Sequence, residues 1–168
     1  PGVPGYLSFG LESEKTYIYR GAYMDCLRAV DFLMTRPEVD KSRIGVEGGS
    51  QGGALSFAAA ALDSRIKLCA PDVPFLSDFR DYAQVAAWPG NEFVGFGESH
   101  PELGVEGVYR VMSYFDIMNL APWIKVPLLM SAGLQDPTCP PRINFAAYNR
   151  VSSPKEYHVY PHGDHGGG

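Results

Sequence analysis

Residues 47–53 read EGGSQGG and separate two contrasting stretches of the chain. The apolar run RIGV precedes them at 43–46, and a helical run of small residues follows at 54–62. The segment GGSQG at 48–52 fits G-x-S-x-G, the pattern of a serine on a sharp strand-to-helix turn. Glycines suit such a turn, because its backbone angles are unusual and the strand and helix approach closely. The stretch therefore predicts a strand, a sharp turn that carries Ser50, and a helix.

The rest of the chain alternates between predicted helices and strands. An apolar stripe at helical spacing, which includes Tyr23, Leu27 and Val30, predicts a helix before the serine. The nearly continuous apolar run at 126–133 is typical of a strand buried in a parallel sheet. Such alternation predicts an α/β fold with a parallel sheet of about four strands and helical crossovers. The predicted strands cover 43–48, 66–74, 126–133 and 157–160, the predicted helices cover 16–36, 50–62 and 140–149, and residues 1–15 are predicted to be loop.

Residues 75–123 interrupt this alternation. They are rich in aromatic residues, glycine and proline, with helical pieces around 79–87 and 106–118. The block is too long for a plain connector, so we expect a helical insert within a single partial domain that spans 1–168. The insert would form a cap or an oligomer contact; the alternative is a helical crossover that only covers the sheet.

Composition and charge narrow the classes of partner. The chain has 168 residues, enough for one domain with a sizeable core, and a net charge of −5. This balance argues against nucleic acid or an anionic membrane as the main partner, and no apolar run approaches the ~20 residues of a membrane span. The cysteines, Cys26, Cys69 and Cys139, have neither metal-site nor disulfide-framework spacing, so we expect buried thiols in a reducing compartment.

The two ends of the chain read as cuts within a longer protein. The sequence opens on PGVPG without a methionine and closes on GGG. We therefore expect a parent chain, and whether that parent carries a signal peptide stays open.

Three loops follow the carboxyl ends of predicted strands, where functional groups collect in an open α/β sheet. The first holds Ser50, the second, at 134–140, holds Asp136, and the third, at 161–166, holds two histidines. The order serine, aspartate, histidine along the chain is that of the α/β hydrolases. A serine needs a base, histidine can take and return its proton, and a buried aspartate stabilises the imidazolium. The backbone N–H of Gln51 would donate to the oxyanion.

Alternatives exist for the base. His162 competes with His165, and loop position favours neither. His158 lies within the fourth predicted strand, where packing or solvent exposure is expected, and His100 precedes a proline in the insert, which favours a surface position. No cluster suits a metal, although His162, Asp164 and His165 form a weak alternative, and no cofactor is expected.

Alternatives also exist for the acid. Asp72 follows the second predicted strand and is the second candidate. Asp164 adjoins His165, but adjacent side chains rarely face each other well. Asp116 and Asp136 could each be a helix or turn cap instead.

Several separate motifs resemble those of the acetyl xylan esterase / cephalosporin C deacetylase family, carbohydrate esterase family seven. The resemblance covers nearly the whole chain, from about residue 17 to residue 165. The motifs are GGSQGG at 48–53, DVPFL at 72–76, SYFDIMNLA at 113–121, WIK at 123–125, GLQD at 133–136, PP at 140–141 and FAAYN at 145–149.

The resemblance implies roles for individual residues. The nucleophile falls on Ser50, the acid on Asp136, the base on His165 rather than His162, and an oxyanion N–H on Gln51. It implies acetyl removal from xylo-oligosaccharides and cephalosporin C by a cytoplasmic hexamer, with the insert contributing to assembly.

The chain departs from the family pattern in two ways. Gly166 stands where the family usually has glutamate after the histidine, and the N-terminal half that supplies the second oxyanion donor lies outside this sequence. We therefore expect this piece alone to be weakly active or inactive and prone to associate. Competing hypotheses are another α/β hydrolase, of the dienelactone hydrolase or prolyl-oligopeptidase type, and a catalytically silent fragment.

Overall fold

The strands form one four-stranded sheet in the computed structural model, which describes residues 5–166. The strands pair in chain order and every pair is parallel, which confirms the predicted α/β class. Residues 1–4 of the predicted N-terminal loop lie outside the described residues. The strands are β1 (Gly45–Gly49), β2 (Leu68–Asp72), β3 (Leu128–Gly133) and β4 (Lys155–Tyr160), and the helices are α1 (Ile18–Thr35), α2 (Gln51–Leu62), α3 (Phe79–Val85), α4 (Ala87–Ser99), α5 (Gly104–Met112), α6 (Ile117–Leu120) and α7 (Pro141–Arg150), with a short 3₁₀ turn at Ala121–Trp123.

The segment between β2 and β3 contains more helices than the sequence predicts. The predicted piece at 106–118 is wrong in extent, because it divides into α5 and α6, and Asp116 accepts a hydrogen bond from the Met118 N–H at the start of α6. Helix α4 was not predicted, since its proline and glycines are typical of loops. Tertiary packing overrides that tendency: Phe93 is fully buried, and its ring meets Phe79 edge-on with centroids 5.6 Å apart.

The helices cover one face of the sheet. Helix α2 contacts β1 and β2, α7 contacts β3, and α6 contacts both α2 and α7. Cys69, Leu128 and Met130 point toward this layer and are buried. Leu68 and Leu129 point the opposite way and are 48% and 49% exposed. The predicted burial of β3 therefore holds for the face that meets the helices, whereas Leu129 on the other face is exposed. Within residues 5–166, no helix has both the length and the apolar character needed to cross a membrane.

Two glycines permit the close contact between β1 and α2. A Cβ at Gly48 would lie 2.6 Å from the backbone of Gly52, and a Cβ at Gly53 would lie 2.9 Å from the carbonyl oxygen of Asp72. A Cβ at Gly52 would meet no atom within 4 Å outside its own stretch of helix. The steric requirement for glycine thus falls on the positions that flank the turn, and not on every glycine of the motif.

We expect Gly48→Ala and Gly53→Ala each to lower the free energy of unfolding by roughly 1–3 kcal/mol, because the added methyl group would overlap backbone atoms. Gly52→Ala is the matched control, and it should leave stability unchanged or raise it slightly, since alanine is the better helix former. Urea unfolding followed by circular dichroism measures all three. Equal stability losses at the three positions would contradict this account of the turn.

Candidate active site

Ser50 occupies the turn between β1 and α2 in a conformation that few residues other than glycine adopt. Its φ is 53° and its ψ is −116°. Backbone hydrogen bonds hold it there: its N–H donates to the Asp72 carbonyl at 2.9 Å, and its own carbonyl accepts from Phe75 at 3.0 Å and Ala54 at 3.1 Å. Strain of this kind persists only where the surrounding structure over-determines it, and it clusters at functional sites.

Two side chains that are remote in the sequence converge on this serine. His165 Nε2 lies 2.9 Å from Ser50 Oγ, and His165 Nδ1 lies 2.8 Å from Asp136 Oδ2. The imidazole is partly accessible, with 30% of its side chain exposed, whereas the Asp136 side chain is fully buried. With the proton on Nδ1, the imidazole donates to the carboxylate and leaves Nε2 free to accept from the serine hydroxyl.

The loop after β3 holds the Asp136 carboxylate in place. Its Oδ1 accepts from the backbone N–H groups of Thr138 and Cys139, both at 2.8 Å, while Oδ2 faces His165. One oxygen of Asp136 therefore makes the contacts of a turn cap, and the other faces the His165 imidazole. A fully buried carboxylate needs such partners, because an unpaired buried charge is costly.

The other histidines lie apart from the serine. His162 is exposed, and its Nδ1 lies 3.5 Å from Gln135 Nε2. His158 is an exposed residue of β4 whose ring meets Tyr160 edge-on. His100 is half-buried, since its ring stacks on Phe96 at 4.0 Å, so the expected surface position is only partly right.

The alternative acids have other partners. Asp72 accepts from the Ser131 hydroxyl on the neighbouring strand. Asp164 Oδ1 accepts from the Gly166 N–H at 2.8 Å. Asp116 accepts from three backbone N–H groups and joins the start of α3 to the start of α6. Among the side chains of residues 5–166, Asp136 is the carboxylate that hydrogen-bonds a histidine.

Gln51 begins α2, and its backbone N–H has no acceptor among the described residues. The first N–H groups of a helix are free and lie at the positive end of its dipole, which suits a developing oxyanion. The Gln51 side chain donates through Nε2 to the Tyr19 hydroxyl at 2.8 Å, and Tyr19 is fully buried in α1. The sequence did not indicate this contact, because nothing in the apolar stripe of α1 distinguishes Tyr19 from other core residues.

The Cys139 thiol lies beside the serine, aspartate and histidine. Burial, reinforced by the nearby Asp136 carboxylate, raises the pKa of Cys139 to about 12. One ligand atom each from Asp136, Cys139 and His165 lies within 4.8 Å of the others. Within that set, the carboxylate and the imidazole are already hydrogen-bonded to each other. His162 and Asp164 join no such cluster within the described residues.

The family model for acetyl xylan esterase (AXE1) matches residues 1–168. The chain belongs to the acetyl xylan esterase family. Acetyl esterase Axe7A of Xylanibacter ruminicola is 35% identical over 161 residues, which are 96% of this chain and 36% of that protein. Among solved structures, the acetyl xylan esterase from Paenibacillus sp. R4 has a TM-score of 0.91 at 48% identity, and acetyl xylan esterase 1 from Thermoanaerobacterium sp. JW/SL YS485 has a TM-score of 0.88 at 36% identity.

The chain spans only part of these family members. In both structural comparisons the alignment includes 98% of this chain. It includes 53% of the Paenibacillus esterase and 54% of the Thermoanaerobacterium esterase. The family model nevertheless matches all three loops that carry Ser50, Asp136 and His165, since its match runs over residues 1–168. Membership of the acetyl xylan esterase family is consistent with the α/β-hydrolase fold described above.

Asp116 makes the stability of the fold depend on pH. Burial raises the pKa of Asp116 to about 6, and its three N–H donors offset only part of that effect. The folded state holds this proton more tightly than the unfolded state does. The contribution of Asp116 to the free energy of unfolding is therefore greatest below about pH 4 and is lost as the pH rises towards 6.

We therefore expect Asp116→Asn to remove a stability loss of up to about 1.4 kcal/mol per pH unit between about pH 4 and about pH 6. Urea titrations across that range measure the slope. The parent protein, titrated under the same conditions, is the control. An unchanged slope in Asp116→Asn would show that Asp116 does not titrate in this window.

Proposed function

We propose that the protein is a serine carboxylesterase that removes acetyl groups from acetylated xylo-oligosaccharides and related small acetyl esters such as cephalosporin C. One observation carries the proposal: Ser50 Oγ, His165 and Asp136 form a continuous hydrogen-bonded series, with distances of 2.9 Å and 2.8 Å, in a chain of the acetyl xylan esterase family. A neutral serine hydroxyl is a poor nucleophile, and a base within hydrogen-bond reach is what activates it.

The first half of the reaction forms an acetyl-enzyme. Ser50 Oγ attacks the acetyl carbonyl carbon while His165 Nε2 takes the hydroxyl proton, and the Asp136 carboxylate stabilises the resulting imidazolium. The carbonyl oxygen becomes an oxyanion that accepts from the Gln51 N–H. The intermediate collapses, the bond to the sugar or other alcohol oxygen breaks, and His165 gives its proton to that oxygen.

The second half releases acetate. A water molecule attacks the acetyl carbonyl as His165 Nε2 takes its proton, and the new oxyanion again faces the Gln51 N–H. Collapse breaks the bond to Ser50 Oγ, which recovers the proton from His165. Nucleophile, base and stabilising charge all come from side chains in this scheme, so it uses no cofactor. The hexamer and the cytoplasmic location stay predictions that rest on the family resemblance.

We expect Ser50→Ala in the full-length protein to lower acetate release by on the order of 10⁶-fold, because no acetyl-enzyme can form. Acetylated xylo-oligosaccharide, cephalosporin C and an aryl acetate are compared side by side. Ser56→Ala is the matched control, since Ser56 lies in α2, the helix that follows Ser50, and its hydroxyl only donates to the Gly52 carbonyl at 2.9 Å. Acetate release by Ser50→Ala at the parent rate would refute the serine mechanism.

Paired variants separate the candidate acids and bases. We expect Asp136→Asn to lower kcat by on the order of 10⁴-fold, because an amide no longer stabilises the imidazolium. Asp72→Asn should retain most activity, since Asp72 contacts Ser131 and not a histidine. Likewise, His165→Ala should abolish turnover while His162→Ala should not. If Asp72→Asn lost more activity than Asp136→Asn, or His162→Ala more than His165→Ala, the assignment of the acid or the base would be wrong.

Comparing kcat/KM for acetyl esters, longer acyl esters, lactones and peptides tests the proposed substrate class. The competing α/β-hydrolase activities would favour longer acyl chains, lactones or peptides over acetyl esters. A kcat/KM that is highest for acetyl esters supports the proposal, whereas preference for long acyl chains or peptides would replace it with a hydrolase of another class.

A further inference from the structure

Tyr82 is a buried side chain of α3 whose hydroxyl reaches the loop that carries Asp136. Its oxygen lies 2.7 Å from the Thr138 carbonyl oxygen and 3.3 Å from that of Trp88, so the nearer carbonyl takes the hydroxyl proton. Only 1% of Tyr82 is exposed, and its ring meets Phe75 edge-on with centroids 5.5 Å apart. The hydroxyl is therefore held from both sides and has little freedom to turn elsewhere.

The peptide group between Thr138 and Cys139 connects this hydroxyl to the carboxylate. Its C=O accepts from Tyr82, and its N–H, on Cys139, donates to Asp136 Oδ1 at 2.8 Å. Because a peptide group is planar and rigid, fixing one end fixes the direction of the other. A continuous series of hydrogen bonds thus runs from Tyr82 through this peptide group to Asp136, and from there through His165 to Ser50.

Other contacts join residues 74–81, which lead into α3, to the start of α7, on the other side of the Asp136 loop. The Ser77 hydroxyl donates to the Ile143 carbonyl at 2.7 Å, and Asn144 Nδ2 donates to the Pro74 carbonyl at 2.7 Å. Asp81, which precedes Tyr82, pairs with Arg142. Helix α7 begins directly after the Asp136 loop, so the residues before and within α3 hold both the loop and the helix that follows it.

We propose that Tyr82 is a positioning residue of the esterase reaction, which sets the orientation of the Asp136 carboxylate toward His165 through the peptide group between Thr138 and Cys139. This inference rests on the proposed function. The phenol remains a neutral donor at working pH, because burial raises the pKa of Tyr82 well above its ordinary value. Hydrogen bonds in such a series also polarise one another, so the bond from Tyr82 to the Thr138 carbonyl strengthens the bond from the Cys139 N–H to Asp136.

The test is Tyr82→Phe in the full-length protein, assayed with an aryl acetate. Without the hydroxyl, the Thr138 carbonyl loses its donor and the peptide group can tilt. We expect kcat to fall about 10-fold or more with KM nearly unchanged, because small misplacements of a catalytic constellation have effects of this size. The acid limb of the pH profile of kcat/KM should move to lower pH, since a less well-placed Asp136 stabilises the His165 imidazolium less.

Tyr23→Phe is the matched control. Tyr23 is also buried, and its hydroxyl donates to a backbone carbonyl, that of Phe115, at 2.6 Å. The two variants lose the same kind of bond, but only Tyr82 touches the Asp136 loop. We expect Tyr23→Phe to lower thermal stability by a similar amount without changing kcat or the pH profile. Equal kinetic effects in both variants would make the role of Tyr82 merely structural and overturn the proposal.

A double-mutant cycle tests whether Tyr82 affects kcat through Asp136. If Tyr82 acts through Asp136, Tyr82→Phe should lower kcat much less in the Asp136→Asn background than in the parent. Losses that multiply independently would overturn the proposal. Arg142→Gln is the second variant for the case in which Tyr82→Phe does not fold, because the Arg142 side chain is 68% exposed and its loss loosens α3 from α7.

Arg142→Gln should lower kcat and shift the acid limb in the same direction by a smaller amount; with no shift in either variant, the inference fails. Failure of the function itself gives a different result. Should Ser50→Ala retain full activity, the proposed serine mechanism fails, whereas an inactive Ser50→Ala together with a normal Tyr82→Phe overturns only the role of Tyr82.

Discussion

The parallel pairing of the four strands is the constraint on which the site depends. Strands that all run in one direction bring all their carboxyl ends to the same edge of the sheet, so the loops that follow them must share that edge. Ser50, Asp136 and His165 follow β1, β3 and β4, respectively. One topological rule therefore brings a hydroxyl, a carboxylate and an imidazole from distant parts of the chain to within hydrogen-bond distance of each other.

The contacts that compensate burial of the Asp136 carboxylate also set its orientation toward His165. A charge removed from water must be compensated by hydrogen bonds and opposite charge, and here two backbone N–H groups and one imidazole supply the compensation. The same contacts that make burial tolerable also orient the carboxylate. The neighbouring loops are packed closely as well: a Cβ at Gly133 would lie 2.6 Å from the carbonyl oxygens of Gly163 and Asp164, so the loops after β3 and β4 fit together only around a glycine.

The segment between β2 and β3 is more than a connection between strands. Its first helix lies against the Asp136 loop through Tyr82, and its later helices cover α2 and α7. Asp116 ties the start of α3 to α6 by accepting N–H groups from both. Because the segment is fastened at these points, its packing bears on the position of the Asp136 carboxylate.

The sequence by itself determined the α/β class, the strand-to-helix turn at Ser50 and the shortlist of acids and bases, because apolar periodicity and turn chemistry are local properties that can be read along the chain. It left His162 and His165 equivalent until the family resemblance separated them, and it missed helix α4. Only the tertiary structure decided which partner each group has: Asp72 pairs with Ser131, Asp136 with His165, and Tyr82 with Thr138. The physical reason is that a hydrogen bond depends on distance and direction in space, and for residues this far apart in sequence both arise only when the strands pair and the helices pack.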